Sequence, residues 1–297
     1  MEFKLSNNPN LKNLKTFNIK NFKSSFIQKY NYIKNKKTIP YKIGIIIPTT
    51  SKGKSWSTVE ETYLWTHTIQ SFLNTTNEYH YFVFYIGIDT DDPLWSKQEN
   101  HIKLQNIKQN RKNIDFKFFL MKDIPKGYLT KMWNKLFRIA YNDNCNYFLQ
   151  CGDDIVFHTK NWITDCVRML LLHKNFGVTA PLCNNNRILT QSFVSRKHLE
   201  IFGCFFPEEI INWYCDDWIN NVYQPNFYYP LFNHFCENCG GNPRYFTGTH
   251  SNSTNKSNQD TLNSQEEILY KMISLGRNKL FTYFNLKNNN YNKPKFI

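Results

Sequence analysis

From Lys42 onward, two kinds of apolar spacing alternate along the chain. Continuous apolar runs that stop at a turn-forming or acidic residue read as strands buried on both faces. Such runs are Lys42–Ile47 before Pro48-Thr49, Tyr81–Ile88 before Asp89, Phe116–Met121, and Tyr147–Gln150 before Cys151-Gly152-Asp153-Asp154. Between them, Val59–Leu73 and Leu129–Tyr141 carry apolar residues at the three-to-four-residue spacing of a helix face. Strand, helix, strand, helix predicts an α/β fold with a mostly parallel sheet. Ligands of such sheets gather at the carboxyl ends of the strands. Pro48, Thr49, Thr50, Asp89, Asp153 and Asp154 all fall there, so polar chemistry collects where the fold class binds its ligands.

Further on, the pattern predicts a helix over Trp162–His173, a short strand over Val178–Pro181, a strand and short helix within Gln191–Phe206, and a helix over Asp216–Tyr223. Residues 250–265 are rich in Ser, Asn and Thr and read as a loop; Glu266–Phe284 reads as a basic amphipathic helix interrupted at Gly276. Residues 1–40 are rich in Asn and Lys, with a weakly amphipathic stretch from Leu11 to Tyr30, and close at Pro40. The organisation expected is one domain over residues 41–255, between a basic extension at 1–40 and a linker with a basic helix at 256–297.

Composition fits a globular chain of 297 residues, 41% hydrophobic and 17% aromatic. The net charge of +14 lies at the ends: +9 over residues 1–42 and +4 over residues 266–297. A nucleic-acid enzyme carries its basic patch on the folded body, so no specific nucleic acid is expected. The basic ends read either as solubilising tails or as attachments to an acidic membrane surface. No apolar run approaches the roughly 20 residues that span a bilayer, and the first residues do not form a secretory leader. With 8 scattered Cys, the expectation is a reduced, cytoplasmic protein, with peripheral membrane contact left open. Cys236 and Cys239 have CxxC spacing near His234, but no second ligand pair follows, so free thiols are expected over zinc.

Two neighbouring carboxylates at a strand end repel each other and are costly without a cation. Asp153-Asp154 therefore reads either as a turn that caps the next helix or as a site for Mn²⁺ or Mg²⁺, hard cations that take carboxylate and phosphate oxygens. Asp216-Asp217 offers a second pair, read either as a helix N-terminal cap or as a general base.

Phe148-Leu149-Gln150-Cys151-Gly152-Asp153-Asp154-Ile155 resembles the metal motif of GT-A glycosyltransferases, near the large inverting family 2. Ile45-Ile46-Ile47-Pro48-Thr49-Thr50 is similar to that family's first strand, Ile86-Gly87-Ile88-Asp89 to the segment that reads the nucleobase, and Lys131–Leu136 to the helix before the metal motif. These four segments occur in the family's order over residues 43–157. The resemblance implies a GT-A, Rossmann-like fold and transfer of a sugar, with inversion, from a nucleotide-sugar donor, with UDP the commonest nucleotide, to a hydroxyl on a glycan or other acceptor. It implies that Pro48, Thr49, Thr50, Asp89, Asn134 and Asp153 face the donor nucleotide. It further implies that Asp154 binds the metal with Asp153 and a late His, here His250. Asp217 would be the base and Asp216 its support, an assignment that can shift to Asp216 or Glu209. Lys52 and Arg244 could meet the diphosphate, and some of the aromatic residues around Asp216 could stack on sugar. The Asn- and Lys-rich composition resembles that of glycosyltransferases from large DNA viruses.

Other readings compete. Gly53-Lys54-Ser55 follows an apolar strand as in a P-loop, but Pro48 stands where the first glycine is needed and has no N–H to offer phosphate. A sugar-phosphate nucleotidyltransferase needs a Gly-rich basic loop that Thr49–Lys54 barely imitates. A non-catalytic GT-A-like module that binds a nucleotide or glycan would have no use for a second acidic pair.

Overall fold

The computed structural model describes residues 39–185, 187–240 and 256–291. The basic extension before residue 39, with the Leu11–Tyr30 stretch, lies outside the described residues, as do Arg244 and His250. The apolar runs form the strands β1 (Lys42–Thr49), β2 (Tyr81–Ile88), β3 (Ile114–Leu120) and β4 (Tyr147–Gln150). They are followed by β5 (Ile155–Phe157), β6 (Val178–Leu182), β7 (Ser192–Ser195) and β8 (Tyr228–Asn238). All eight join one curled sheet in the order β3-β2-β1-β4-β7-β6-β8-β5. The β3-β2-β1-β4 block is parallel, and β6 and β8 also run parallel. Strand β7 opposes both of its neighbours, and β5 opposes β8. The α/β class with a mostly parallel sheet flanked by helices is the one expected from the sequence.

Period-two alternation sorts each strand's side chains between two apolar layers. Ile43, Ile45, Ile47, Phe82, Phe84 and Leu149 face a layer closed by Phe72 and Trp162. These two residues belong to helices α1 (Gln70–Thr75) and α4 (Trp162–Leu172). Ile46, Val83, Tyr85, Phe148 and Val194 face the other layer, closed by Met132, Leu136, Trp218 and Met272. Those come from α3 (Leu129–Asn142), α6 (Cys215–Tyr223) and α7 (Lys256–Tyr291). Helices α2 (Gln98–Gln105) and α5 (Lys197–Phe202) complete the set among the described residues. Burying one such Ile or Phe contributes about 1.5–3 kcal/mol, so both faces of the sheet drive folding.

Three expectations change. The helix expected over Val59–Leu73 is broken into a 3₁₀ turn at Val59–Glu61, a π-helical turn at Leu64–Ile69, and α1. Strands β5 and β8 and helix α2 were not legible from periodicity. The loop expected over residues 250–265 is helical from Lys256, and α7 runs through Gly276 without interruption. Packing overrides the local cost of that glycine: a Cβ there would fall 2.7 Å from Val222 Cγ2 and 3.3 Å from the Trp218 ring. The glycine lets α7 approach α6 closely enough for Trp218 Nε1 to donate to the Met272 carbonyl at 3.0 Å and for Arg277 to reach the Asn221 carbonyl at 2.8 Å.

Gly276→Leu should therefore destabilise the protein by about 1–3 kcal/mol through overpacking, although leucine is the better helix former. Thermal unfolding checks this, and an unchanged or raised midpoint would show that the two helices need no close approach.

Candidate active site

Strand β4 ends at Gln150, and the next four residues turn the chain out of the parallel block toward β5. This turn is held from three sides. Gln191, just before β7, accepts the Gly152 N–H through Oε1 at 3.0 Å. From the π-helical turn, Thr68 Oγ1 accepts the Ile155 N–H at 3.0 Å and donates to the Gly152 carbonyl at 3.4 Å. One helical turn later, Ser71 Oγ accepts the Phe157 N–H at 3.0 Å. Two hydroxyls thus satisfy β5 backbone groups on the edge turned away from β8. Thr68 belongs to the widened turn at Leu64–Ile69, and such π-helical insertions recur at functional sites.

The held turn presents two carboxylates in different settings. Asp153 is 2% exposed and accepts a hydrogen bond from Thr49 Oγ1 at 2.7 Å, which ties it to the end of β1. Asp154 is half-buried and wedged between two glycines. A Cβ on Gly152 would fall 2.6 Å from Asp154 Oδ1, and one on Gly240 only 1.7 Å from Oδ2. Gly240 follows β8, and the Cys239 N–H donates to the Asp154 carbonyl at 2.9 Å, so the end of β8 is fastened over this acid. His67, on the π-helical turn, stands within electrostatic reach of Asp153; burial lowers its pKa and the Asp153 charge opposes that. No periodicity or motif singled out Thr68, Gln191, Gly240 or His67.

The loops after β1 and β2 are locked to each other by Asp92, which is fully buried. It accepts from Thr50 Oγ1 at 2.9 Å, Ser51 N at 2.7 Å and Ser51 Oγ at 2.6 Å on one side, and from Leu94 N and Trp95 N at 3.0 and 2.7 Å on the other. Asp89 is 6% exposed and leaves Oδ2 without a hydrogen-bond partner among the described residues. Burial raises its pKa, and Lys52 partly offsets this. Lys52 itself forms an ion pair with Asp91, which also meets Lys126 at 2.5 Å.

A cavity of about 290 Å³ opens at the carboxyl ends of β1 and β4. Pro48, Thr49, Thr50, Gln150, Asp153 and Asp154 form one part of its wall, Leu129, Met132 and Trp133 of α3 another, and Trp213 and Asp216 a third. Gly152, Thr190, Gln191, Asn212, Cys215 and Asn238 complete it. Trp213 is 41% exposed and precedes Tyr214, which holds the left-handed φ of 72° that a bulky residue adopts only under constraint. The next residue starts α6.

The acidic pair on α6 is divided by its surroundings. Asp217 forms an ion pair with Arg187 and is absent from the cavity wall. Asp216 lines the cavity and accepts the Asp217 N–H at 3.0 Å. Burial, and then the neighbouring Asp217 charge, push the Asp216 carboxyl up to about 7, against the opposing pull of backbone hydrogen bonds and Arg187. Of the two acids, the one expected as support thus faces the cavity, and the one expected as base faces an arginine.

Asn134 is used within the protein. Its Oδ1 accepts from Phe205 N and Phe206 N, each at 2.9 Å, and its Nδ2 donates to the Phe206 carbonyl at 2.8 Å. It pins the segment before α6 to α3 and does not line the cavity; neither does Asp89. His234 sits between Thr159 Oγ1 at 3.0 Å and Asp165 Oδ2 at 2.9 Å, apart from any thiol ligand set. The eight cysteines are free. Among the described residues no helix is long and apolar enough to cross a membrane.

Among the described residues no group of three or more His, Cys, Asp and Glu side chains could enclose a metal. A cation that completes its shell with diphosphate oxygens and water needs only one or two protein carboxylates. Asp154, with backbone but no side chain on the two glycines against it, and Asp153 beside it fit that requirement; His250 lies outside the described residues.

No protein-family model matches the chain, and no curated protein sequence is detectably similar to it. Solved structures resemble it loosely. TarS 1-349 of S. aureus is 15% identical with a TM-score of 0.45, over 65% of this chain and 60% of that one. The same protein in complex with UDP-GlcNAc gives 13% identity and a TM-score of 0.49, over 82% and 73%. The mannosyltransferase PcManGT from Pyrobaculum calidifontis, in complex with GDP-Man and Mn²⁺, gives 8% and 0.47, over 87% and 80%.

The Asp216 carboxyl has a measurable consequence. Its ordinary value is 3.8, and the fold raises it to about 7. Its contribution to stability is therefore complete below pH 4 and is lost as the pH rises through about 7. Asp216→Asn should melt close to the wild type at pH 4 and progressively above it toward pH 8. A difference in melting temperature that stays constant across this range would mean that the carboxyl titrates normally.

Proposed function

We propose that this chain is a nucleotide-sugar glycosyltransferase that transfers a sugar to an acceptor hydroxyl. The observation that carries the reading is the company kept in one cavity. An acidic pair at the end of β4, the polar end of β1 and a carboxylate with a pKa near neutrality share its wall. The first two suit an anionic diphosphate with its counter-cation, and the third suits proton removal at neutral pH.

In this reading Asp154, with Asp153, would hold Mn²⁺ or Mg²⁺, which offsets the negative charge that builds up on a departing diphosphate. Thr49 keeps Asp153 in place through its hydroxyl, and Gln191 and Thr68 keep the turn from relaxing. Thr50 and Ser51, fixed by Asp92, shape the end of β1 against the donor. Asp216 takes the proton from the acceptor hydroxyl while that oxygen attacks the anomeric carbon. The bond from that carbon to the diphosphate oxygen breaks, and the nucleoside diphosphate leaves. One in-line displacement of this kind inverts the anomeric centre. The base is assigned to Asp216 rather than Asp217, because Arg187 engages Asp217 outside the cavity. UDP is taken as the donor nucleotide from the sequence resemblance.

Incubation with a panel of UDP- and GDP-sugars and simple glycan acceptors, with release of nucleoside diphosphate as the readout, tests the reading. Asp154→Asn should abolish turnover and retain the fold. Gly240→Ala should do nearly the same, because its methyl group displaces the Asp154 carboxylate. Asp216→Asn should lower kcat by roughly 10²–10⁴ with little change in donor affinity, and Asp217→Asn should cost far less. An Asp216→Asn protein as active as the wild type would remove the base from the mechanism. Wild-type kcat/KM should fall as the pH drops below about 7.

A further inference from the structure

Three buried polar atoms on one face of the sheet lack a hydrogen-bond partner among the described residues: Gln150 Oε1, Ser192 Oγ and Trp133 Nε1. Gln150 is 3% exposed, Ser192 0% and Trp133 7%. Strand pairing makes two of them neighbours, and the third packs in the same layer. Gln150 ends β4 and stands opposite Ser192 of β7. Alternation puts both on the face of Phe148 and Val194, the layer closed by α3, and Trp133 belongs to α3 and packs in that layer. Gln150 and Trp133 also line the cavity.

An isolated orphan can mark local strain. Here two of the three line one cavity and the third stands opposite Gln150 in the sheet, and a buried polar set of this kind at a cavity wall points to a ligand group. Their chemistry is complementary: an amide oxygen accepts, an indole N–H donates, and a serine hydroxyl does either. A sugar hydroxyl both donates and accepts, and it matches such a set where a purely apolar or purely anionic group does not.

Topology separates this patch from Asp89, which the sequence resemblance assigns to the nucleobase. Asp89 follows β2 on one side of β1, whereas β4 and β7 lie on the other side. Gln150 is three residues before Asp153, and Ser192 adjoins Gln191, which holds the turn. The patch thus borders the acidic pair, where the reacting end of a nucleotide sugar would stand.

We propose that Gln150, Ser192 and Trp133 form a hydroxyl-reading subsite for the transferred sugar, and that Gln150 and Trp133 contribute to donor selectivity through the sugar rather than the nucleotide. The inference rests on the glycosyltransferase reading above. Its test is calorimetric titration of the 297-residue chain, in buffer containing Mn²⁺, with UDP, UDP-glucose, UDP-GlcNAc, GDP and GDP-mannose. The quantity of interest is the ratio of the affinity for a nucleotide sugar to that for its nucleotide. Gln150→Met, which keeps shape and removes the amide, and Trp133→Phe should each lower that ratio about three- to tenfold and leave UDP or GDP binding unchanged. Ligand-free Gln150→Met should melt at or above the wild-type temperature, because it removes an unpaired buried acceptor.

If the patch only holds a structural water, Gln150→Met will melt lower and leave the ratio intact, and the subsite is refuted. A wild type that binds nucleotides but gains nothing from the sugar also refutes it, without touching the nucleotide site. A wild type that binds none of the five ligands overturns the glycosyltransferase reading and this inference together.

Discussion

The four-residue turn between β4 and β5 is the constraint on which the rest of the site depends. Two adjacent carboxylates repel, and a free loop would separate them or turn them to water. Here the turn cannot relax. Gln191 and Thr68 hold Gly152, Thr49 holds Asp153, and the Asp154 carboxylate occupies the space that a side chain on Gly152 or Gly240 would take. The contacts come from before β7, from the π-helical turn, from β1 and from the end of β8. Four distant segments therefore have to fold before the acidic pair acquires its geometry. The curl that brings β5 round to β8 also delivers Gly240 to Asp154.

A second division of charge lies across the cavity. Asp216 and Asp217 are identical in sequence chemistry, yet one meets Arg187 and the other meets the cavity. Burial, and then the neighbouring Asp217 charge, disfavour ionisation of Asp216. A carboxyl that titrates near neutrality can take up and release a proton under ordinary conditions. Helix α7 has a supporting part in this. Its close approach at Gly276 and the Trp218–Met272 hydrogen bond clamp the helix that carries both acids. A sequence segment that reads as an appendage is thereby built into the wall behind the site.

Much of the fold was legible because its signals are local. Continuous apolar runs, β-branched and aromatic, could only be buried strands, and β2 and β4 begin and end where the pattern says. Strand β8 was obscured because its eleven residues mix aromatic, polar and charged positions, serving β6 with one half and β5 with the other. Helix α2 carries too little apolar periodicity to be seen, and the start of α7 is polar enough to read as a loop. The family resemblance places Asn134 at the donor nucleotide. Its amide is instead consumed by the backbone of Phe205 and Phe206, seventy residues away in the chain.

Local pattern alone set the α/β class, the strand ends at Pro48-Thr49-Thr50 and Asp153-Asp154, and the presence of a second acidic pair at the start of a helix. Those features follow from residue type and short-range spacing, which the chain carries wherever it goes. Folding in three dimensions settled which acid of the second pair faces the cavity, that a glycine after β8 abuts Asp154, and that Gln150, Ser192 and Trp133 meet on one face of the sheet. Each of these depends on groups between about twenty and ninety residues apart being pressed together by burial of the sheet's two faces, and spacing along the chain contains no record of such a meeting.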